Sequence, residues 1–398
     1  MKILFVHDHR FKCLGDKYYS SGGLPSSIWP RYTDVLGEIT VVGRDGGVLA
    51  DTDKGFTLSS ADDVCFHLLP NIANLKSLLF SNKEVRNSVH ALVSQHDALV
   101  ARLPSRLGTL FVKEAIKQGK PYAVEIVGCP WDALWNYGGL KGKLFAPYAA
   151  LELKRLVKNS RFALYVTEFF LQSRYPAHKE AVTTFCSNVE IPSVDRNVLA
   201  SRLDKITHDS SGQPVIFGLI ANYSSRYKGI DVAIRALKEA NLPSWQLKVL
   251  GSGDASYYQS LADELGVAGR VHFVGSLPSG DPVFEWINSI DIYLHPSFQE
   301  GLPRALVEAM SRGAPALASE IAGIPELLNE PELIVAGDYK TLAKKIANMA
   351  NDKNMQASLA EQNFHRAKGY YKDILDKRRR TFWQQFQEHA EGPWPSQK

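Results

Sequence analysis

The chain has 398 residues, 45% hydrophobic and 22% charged, the balance of an ordinary soluble globular protein with room for two domains. That composition excludes disorder, collagen and coiled coil as the main architecture. The longest apolar runs, such as residues 214–221, fall well short of the ~20 residues of a membrane-spanning helix. The net charge of +4 is uneven: residues 1–200 carry 24 Lys/Arg against 19 Asp/Glu, and residues 201–398 carry 22 against 23, so an anionic partner suits the first half.

Residues 1–7 form an apolar run of strand length, and His7, Asp8, His9 and Arg10 end it at once. That is too short and too polar for a signal peptide, so a cytoplasmic protein is expected. Gly22 and Gly23 follow, and Pro25 and Pro30 delay the next helix. Strand-like runs recur at 39–42, 98–101, 122–127 and 162–166, and again at 215–220, 246–250, 271–274, 290–294, 316–318 and 333–335. Between many of them lie helix-period stretches, for example 231–240, 257–265, 302–312 and 340–351. Strand alternating with helix predicts parallel sheets covered on both faces. The polar stretch 198–214, with Asp209-Ser-Ser-Gly212, reads as a linker. The expected architecture is therefore α/β, two doubly wound Rossmann-like domains facing a cleft, with residues 1–205 in the first and 206–369 in the second. The stripe of Ile374, Leu375, Phe382, Trp383 and Phe386 predicts a helix over 370–390 that docks back on the first domain. Cys13, Cys65, Cys129 and Cys186 are scattered without C-x-x-C spacing, which fits reduced thiols rather than disulfides or a zinc site.

Residues 291–315 carry the chemistry. A strand at Asp291–Leu294 leads into a polar loop, and Pro303 suits the first position of a helix that ends at Gly313 and Pro315. The N–H groups of Gly301, Leu302 and Arg304 then lie near a helix N-terminus at the carboxyl end of a parallel strand, an anion site where open α/β sheets bind ligands. Glu300 and Glu308 flank it. Carboxylates accept hydrogen bonds from sugar hydroxyls, so the set suits a nucleotide sugar, with phosphates in the middle and hydroxyls at both ends. The same two carboxylates could also serve only as partners of the helix dipole.

This stretch resembles the E-x7-E signature of family-4 glycosyltransferases, here Glu300 to Glu308. The resemblance extends through Tyr227-Lys-Gly-Ile-Asp231, Val249-Leu-Gly-Ser-Gly253, Val271-His-Phe-Val-Gly275 and Ala322-Gly-Ile-Pro-Glu326. It is weaker in the first half, at Gly22-Gly23 and Leu164-Tyr-Val-Thr-Glu168. It implies a glycosyltransferase-B fold, a nucleoside-diphosphate sugar donor held by the second domain, an acceptor held by the first, retention of configuration, and neither cofactor nor obligatory metal. Residue by residue, it implies that Glu308 binds the donor ribose, Glu300 the transferred sugar, Lys228 the phosphates, and Phe273 and Val274 the base. Gly301, Leu302 and Pro303, with Gly22 and Gly23, complete the implied donor contacts. The pattern departs in two places. Tyr223 stands where the family usually has an Arg, so Arg226 is the candidate second cation. The first-domain segment Glu125–Asp132 lacks the usual His, so Asp132 is the candidate polar partner, although it could equally cap a helix.

Other signals are weaker. Asp51-Thr-Asp53 fits a metal-binding D-x-D but lies in a glycine-rich polar loop. Gly251-Ser-Gly253 lacks a dinucleotide fingerprint's third glycine. His295, beside Pro296, reads as structural, and His7 and His9 as isolated. The segment from Lys141 to Arg161 holds six cations and one acid, with Leu144, Tyr148, Leu151 and Leu153 among them, so it can either pack with a solvated basic face or lie on an anionic membrane. The function expected is transfer of a sugar to a hydroxyl of a glycan or lipid-linked saccharide in cell-surface polysaccharide synthesis, with no role for nucleic acid. A nucleotide-sugar epimerase and a non-catalytic sugar-nucleotide binding module are the rival classes.

Overall fold

The computed structural model describes residues 1–50, 53, 55–70, 83–137, 139–208 and 212–392. The chain divides into two compact units, Met1–Cys186 with the segment from Asp376 onward, and Ser187–Leu375.

The first unit is built on strands β1 (Ile3–Leu14), β2 (Lys17–Ser20), β3 (Ile39–Val48), β4 (Thr57–Leu58), β5 (Val64–Leu69), β6 (Ala98–Leu103), β7 (Tyr122–Ile126), β8 (Phe162–Tyr165) and β9 (Val182–Phe185). Seven of them run parallel in the order β5-β3-β1-β6-β7-β8-β9. The sheet is not purely parallel as the alternation of elements implies. β1 continues past its pairing with β6 and, still beside β3, folds back on β2, and β2 pairs β4, both antiparallel. Every residue of β6 and β7 is buried, which is why these strands read as apolar runs rather than alternations. Helices α1 (Pro30–Leu36), α2 (Lys83–Gln95), α3 (Arg106–Gln118), α4 (Pro130–Tyr137), α5 (Gly139–Lys158) and α6 (Phe170–Arg174) accompany the sheet. Pro30 opens α1, and Ser105 starts α3 by accepting a hydrogen bond from the Gly108 N–H.

The first helix of the second unit is α7 (Arg196–Thr207), which overlaps the polar stretch read as a linker. The Asp195 side chain caps this helix on the Asn197 N–H. Its anchor is a buried arginine: Arg202 donates to the carbonyls of Ile290 at 2.6 Å, Ile287 at 2.9 Å and Arg312 at 3.1 Å. This anchor places α7 in the second unit rather than at the end of the first. Residues 209–211 of the proposed linker lie outside the described residues.

Six strands, β10 (Val215–Ile220), β11 (Trp245–Leu250), β12 (Val271–Gly275), β13 (Ile292–His295), β14 (Ala316–Ser319) and β15 (Leu333–Ile334), form an all-parallel sheet in the order β12-β11-β10-β13-β14-β15. Around it lie α8 (Ile230–Glu239), α9 (Ser256–Glu264), α10 (Asp281–Ser289), α11 (Arg304–Ser311), α12 (Tyr339–Asn351) and α13 (Lys353–Ala367). The order reverses between β10 and β13, so the loops after these two strands diverge and leave a crevice at the carboxyl edge.

The last helix, α14 (Lys372–Glu391), belongs to the first unit from Asp376 on. Phe382 and Phe386 meet Phe162 of β8 with ring centroids 6.0 and 5.3 Å apart, and Trp383 lies 5.5 Å from Tyr32 of α1.

Candidate active site

The loops after β10 and β13 bring the charged groups of the second unit together. After β10, a tight turn at Arg226–Lys228 ends on Gly229 at φ +69°. A Cβ there would collide with the Pro296 carbonyl of the neighbouring loop, so the turn can close on that loop only with glycine. This close approach sets the lysine: Lys228 Nζ donates to Glu300 Oε1 at 2.7 Å. His295, the last residue of β13 and buried, donates from Nε2 to the same oxygen at 2.9 Å. Sequence reading set His295 aside as structural. Its position at the end of a strand, five residues before Glu300, was the signal available.

Burial alone would raise the Glu300 carboxyl. The interactions with His295 and Lys228 outweigh it and hold the group at about 2, against an ordinary 4.5. Glu300 is therefore a fixed carboxylate, an acceptor of hydrogen bonds rather than an acid. The amide oxygen of the adjacent Gln299 is buried with no partner among the described residues.

Pro303 is the extended residue just before α11 rather than its first turn, and the helix starts at Arg304. Gly301 is exposed, while its carbonyl accepts from Gly323 at 3.0 Å and fixes the loop. Leu302 packs against the core. Glu308, on the second turn of α11, is largely shielded. Burial shifts its carboxyl upward, and Arg304, 3.9 Å away, offsets this only in part. The two carboxylates thus differ: Glu300 Oε1 accepts from both Lys228 and His295, and Glu308 has Arg304 at 3.9 Å.

The other candidates fall elsewhere. The Arg226 guanidinium stacks on Tyr257 with its carbon 3.3 Å from the ring centroid, and it makes no ion pair among the described residues. Tyr223 is a structural latch: its hydroxyl donates to the Val249 carbonyl at 2.9 Å and accepts from the Gly275 N–H at 3.1 Å. That latch holds the end of β12, where the Phe273 ring packs on Tyr223 and Val274 is exposed. Asp132 belongs to the first unit, on α4, where Arg174 Nη1 donates to both carboxylate oxygens at 2.9 Å. Gly22 and Gly23 lie in the first-unit loop before α1, with Gly23 against the His9 ring. Asp53 is held by Lys12 at 2.6 Å, and Asp51 lies outside the described residues. Among the described residues no cluster of three or more His, Cys, Asp or Glu could hold a metal ion, and no helix is long and apolar enough to cross a membrane.

Residues 204–366 match the family model described as glycosyl transferases group 1. The second unit belongs to that family. Over 372 residues the chain is 28% identical to Protein CapJ of Staphylococcus aureus, covering 93% of this chain and 92% of that one. A stretch of 101 residues, 24% of this chain and 26% of the relative, is 35% identical to the lipopolysaccharide glucosyltransferase WaaG of Escherichia coli K12. The crystal structure of Anabaena HepE in complex with UDP superposes with a TM-score of 0.63 at 17% identity, covering 98% of this chain and 100% of that one. The fold is that of the glycosyltransferase-B enzymes, and the chain is a glycosyltransferase.

Proposed function

We propose that this transferase is a retaining, metal-independent family-4 enzyme. It moves a sugar from a nucleoside diphosphate to a hydroxyl of a glycan or lipid-linked saccharide in cell-surface polysaccharide synthesis. The observation that carries the reading is the Lys228–Glu300–His295 cluster at the switch point of the second unit, with Glu308 one helix turn and a half beyond. In this reading the diphosphate lies over the turn at Gly301–Arg304 and on the Lys228 ammonium. Glu300 accepts from hydroxyls of the transferred sugar, and Glu308 accepts from the ribose. The bond from the anomeric carbon to the diphosphate oxygen breaks while the acceptor oxygen bonds on the same face. The acceptor proton passes to the departing diphosphate, so no protein base is required. Lys228 stabilises the charge that builds on that group, the role a metal ion fills in other transferases. Among the similar proteins, HepE has been seen with UDP-glucose, and WaaG is a lipopolysaccharide glucosyltransferase. Four free cysteines fit a reducing, cytoplasmic compartment.

The test is a panel of nucleoside-diphosphate sugars, scored first by thermal shift and then by labelled transfer and donor hydrolysis. Stabilisation by one donor, with transfer or slow hydrolysis, is expected. An epimerised donor, or no donor bound at all, would overturn the reading.

A further inference from the structure

The first sheet has a reversal of its own. Strands β3 and β5 lie on one side of β1, and β6 to β9 lie on the other, so the loops after β1 and β6 diverge at the carboxyl edge. Arg102, the penultimate residue of β6, stands at that edge. It is only 8% exposed. Its Nε is sealed from solvent with no hydrogen-bond partner among the described residues. Glu125 of the neighbouring β7 comes no closer than 3.9 Å, outside hydrogen-bond reach. A buried guanidinium normally has its donors met, because an unmet one carries the full desolvation cost of the group.

The acids nearby are committed elsewhere. Tyr32 donates to Glu125 Oε2 at 2.6 Å. Asp8 accepts from the Arg44 side chain and from the first N–H groups of α3, at Arg106 and Leu107. His7, just past the point where β1 leaves β6, supplies a complementary group. Its Nδ1 lies 3.2 Å from the Arg102 carbonyl, which can only accept, so this nitrogen carries the proton. Burial and the Arg102 charge depress the ring to about 4, so the imidazole is neutral. Its Nε2 is then an acceptor on a partly exposed ring.

One edge thus sets a cationic fork with unmet donors beside a neutral acceptor. The fork matches the paired oxygens of a carboxylate or a phosphate, and the imidazole suits a hydroxyl. The positive excess of the first half of the chain draws the same class of ligand. We propose that Arg102 and His7 form a subsite for an acidic sugar of the acceptor, the guanidinium on its carboxylate or phosphate and the imidazole on one of its hydroxyls. The proposal rests on the acceptor reading above and deepens it by naming the acceptor's charge.

Glucuronate, glucose 6-phosphate and glucose are titrated into the full chain and followed by ligand-observed NMR. At least one of the two acids should bind about tenfold or more tighter than glucose, and the tighter one tells carboxylate from phosphate. Arg102→Gln together with Glu125→Gln leaves no lone buried charge and should erase that preference. Arg102→Lys, which keeps the charge without the fork, should reduce it, and decides the matter where the double variant does not fold. His7→Phe should weaken all three probes alike. Nucleotide-sugar binding belongs to the second unit and should be unchanged in every folded variant. No preference for either acid in the parent chain would overturn the proposal, as would a preference of full size in a folded Arg102 variant. Loss of nucleotide-sugar affinity in Arg102→Lys would also overturn it, and would assign the guanidinium to the donor diphosphate. An acid preference set by Arg102 in a chain that binds no nucleotide sugar would leave the subsite standing and remove the donor reading instead.

Discussion

Lys228 Nζ and Glu300 Oε1 are 2.7 Å apart although 72 residues separate them in the chain. Adjacent strands β10 and β13 end side by side, and the loops they release are the ones that carry these two groups. The ammonium is therefore set against Glu300, and together with the His295 hydrogen bond it keeps that carboxyl ionised. Lys228→Ala should lower kcat by about 10²–10³-fold, since its charge matters most as the diphosphate departs, with a smaller effect on donor affinity. Steady-state kinetics beside equilibrium donor binding separates the two. A variant with normal kcat and only weaker binding would contradict the role.

Glu308 is shielded from water, and its cationic neighbour among the described residues, Arg304, stands 3.9 Å away. A ribose hydroxyl would supply the missing hydrogen bond. Glu308→Ala should weaken donor binding by about 1.5–3 kcal/mol, as for a hydrogen bond to a charged group. Calorimetric titration with the donor measures this, and unchanged affinity in a folded variant rejects the ribose assignment.

Glu332 gives the second unit a pH dependence away from the site. Burial pushes its carboxyl up to about 7 from 4.5, although the Asn329 N–H and the Asn363 amide both donate to it. The folded state therefore holds a proton that the unfolded state has released. The stability this contributes is fully present below pH 4.5 and is lost as pH rises through 7. Thermal melts across that window should fall with pH, and Glu332→Gln, which stays neutral, should flatten the slope. An unchanged slope in the variant would assign the effect to other groups.

In the proposed reading Lys228 takes the role of a charge-neutralising metal, so activity should survive excess chelator. Loss of transfer that Mg or Mn restores would return attention to Asp51 and Asp53, the latter held by Lys12.

The strands of the second sheet were legible because buried parallel strands leave apolar runs, as at β10 and β13, with β11 alternating instead. The Glu300–Glu308 helix was legible from its proline and glycine punctuation, to within a residue at each end. Three things were not. α7 is anchored by the buried guanidinium of Arg202, and a charged anchor looks like surface in a sequence. The β1–β2 hairpin was hidden because β1 changes partners midway along one strand. His295 could not be told from a core histidine until the fold of its loop set it against Glu300. Arg226 shows the converse: a cation at a suggestive spacing that the structure commits to Tyr257.

The return of the chain into the first unit orders its synthesis. Strand β9 ends at Phe185, and the aromatic side chains of α14 that cover β8 follow only after the whole of the second unit. A ribosome finishes the second unit while the first still lacks Phe382, Trp383 and Phe386. Until then Phe162 and Tyr32 have no cover from that helix. A nascent chain arrested before residue 376 would hold a complete second unit joined to an unfinished first one. Chaperones and proteases would thus meet the first unit, not the second, as the exposed species.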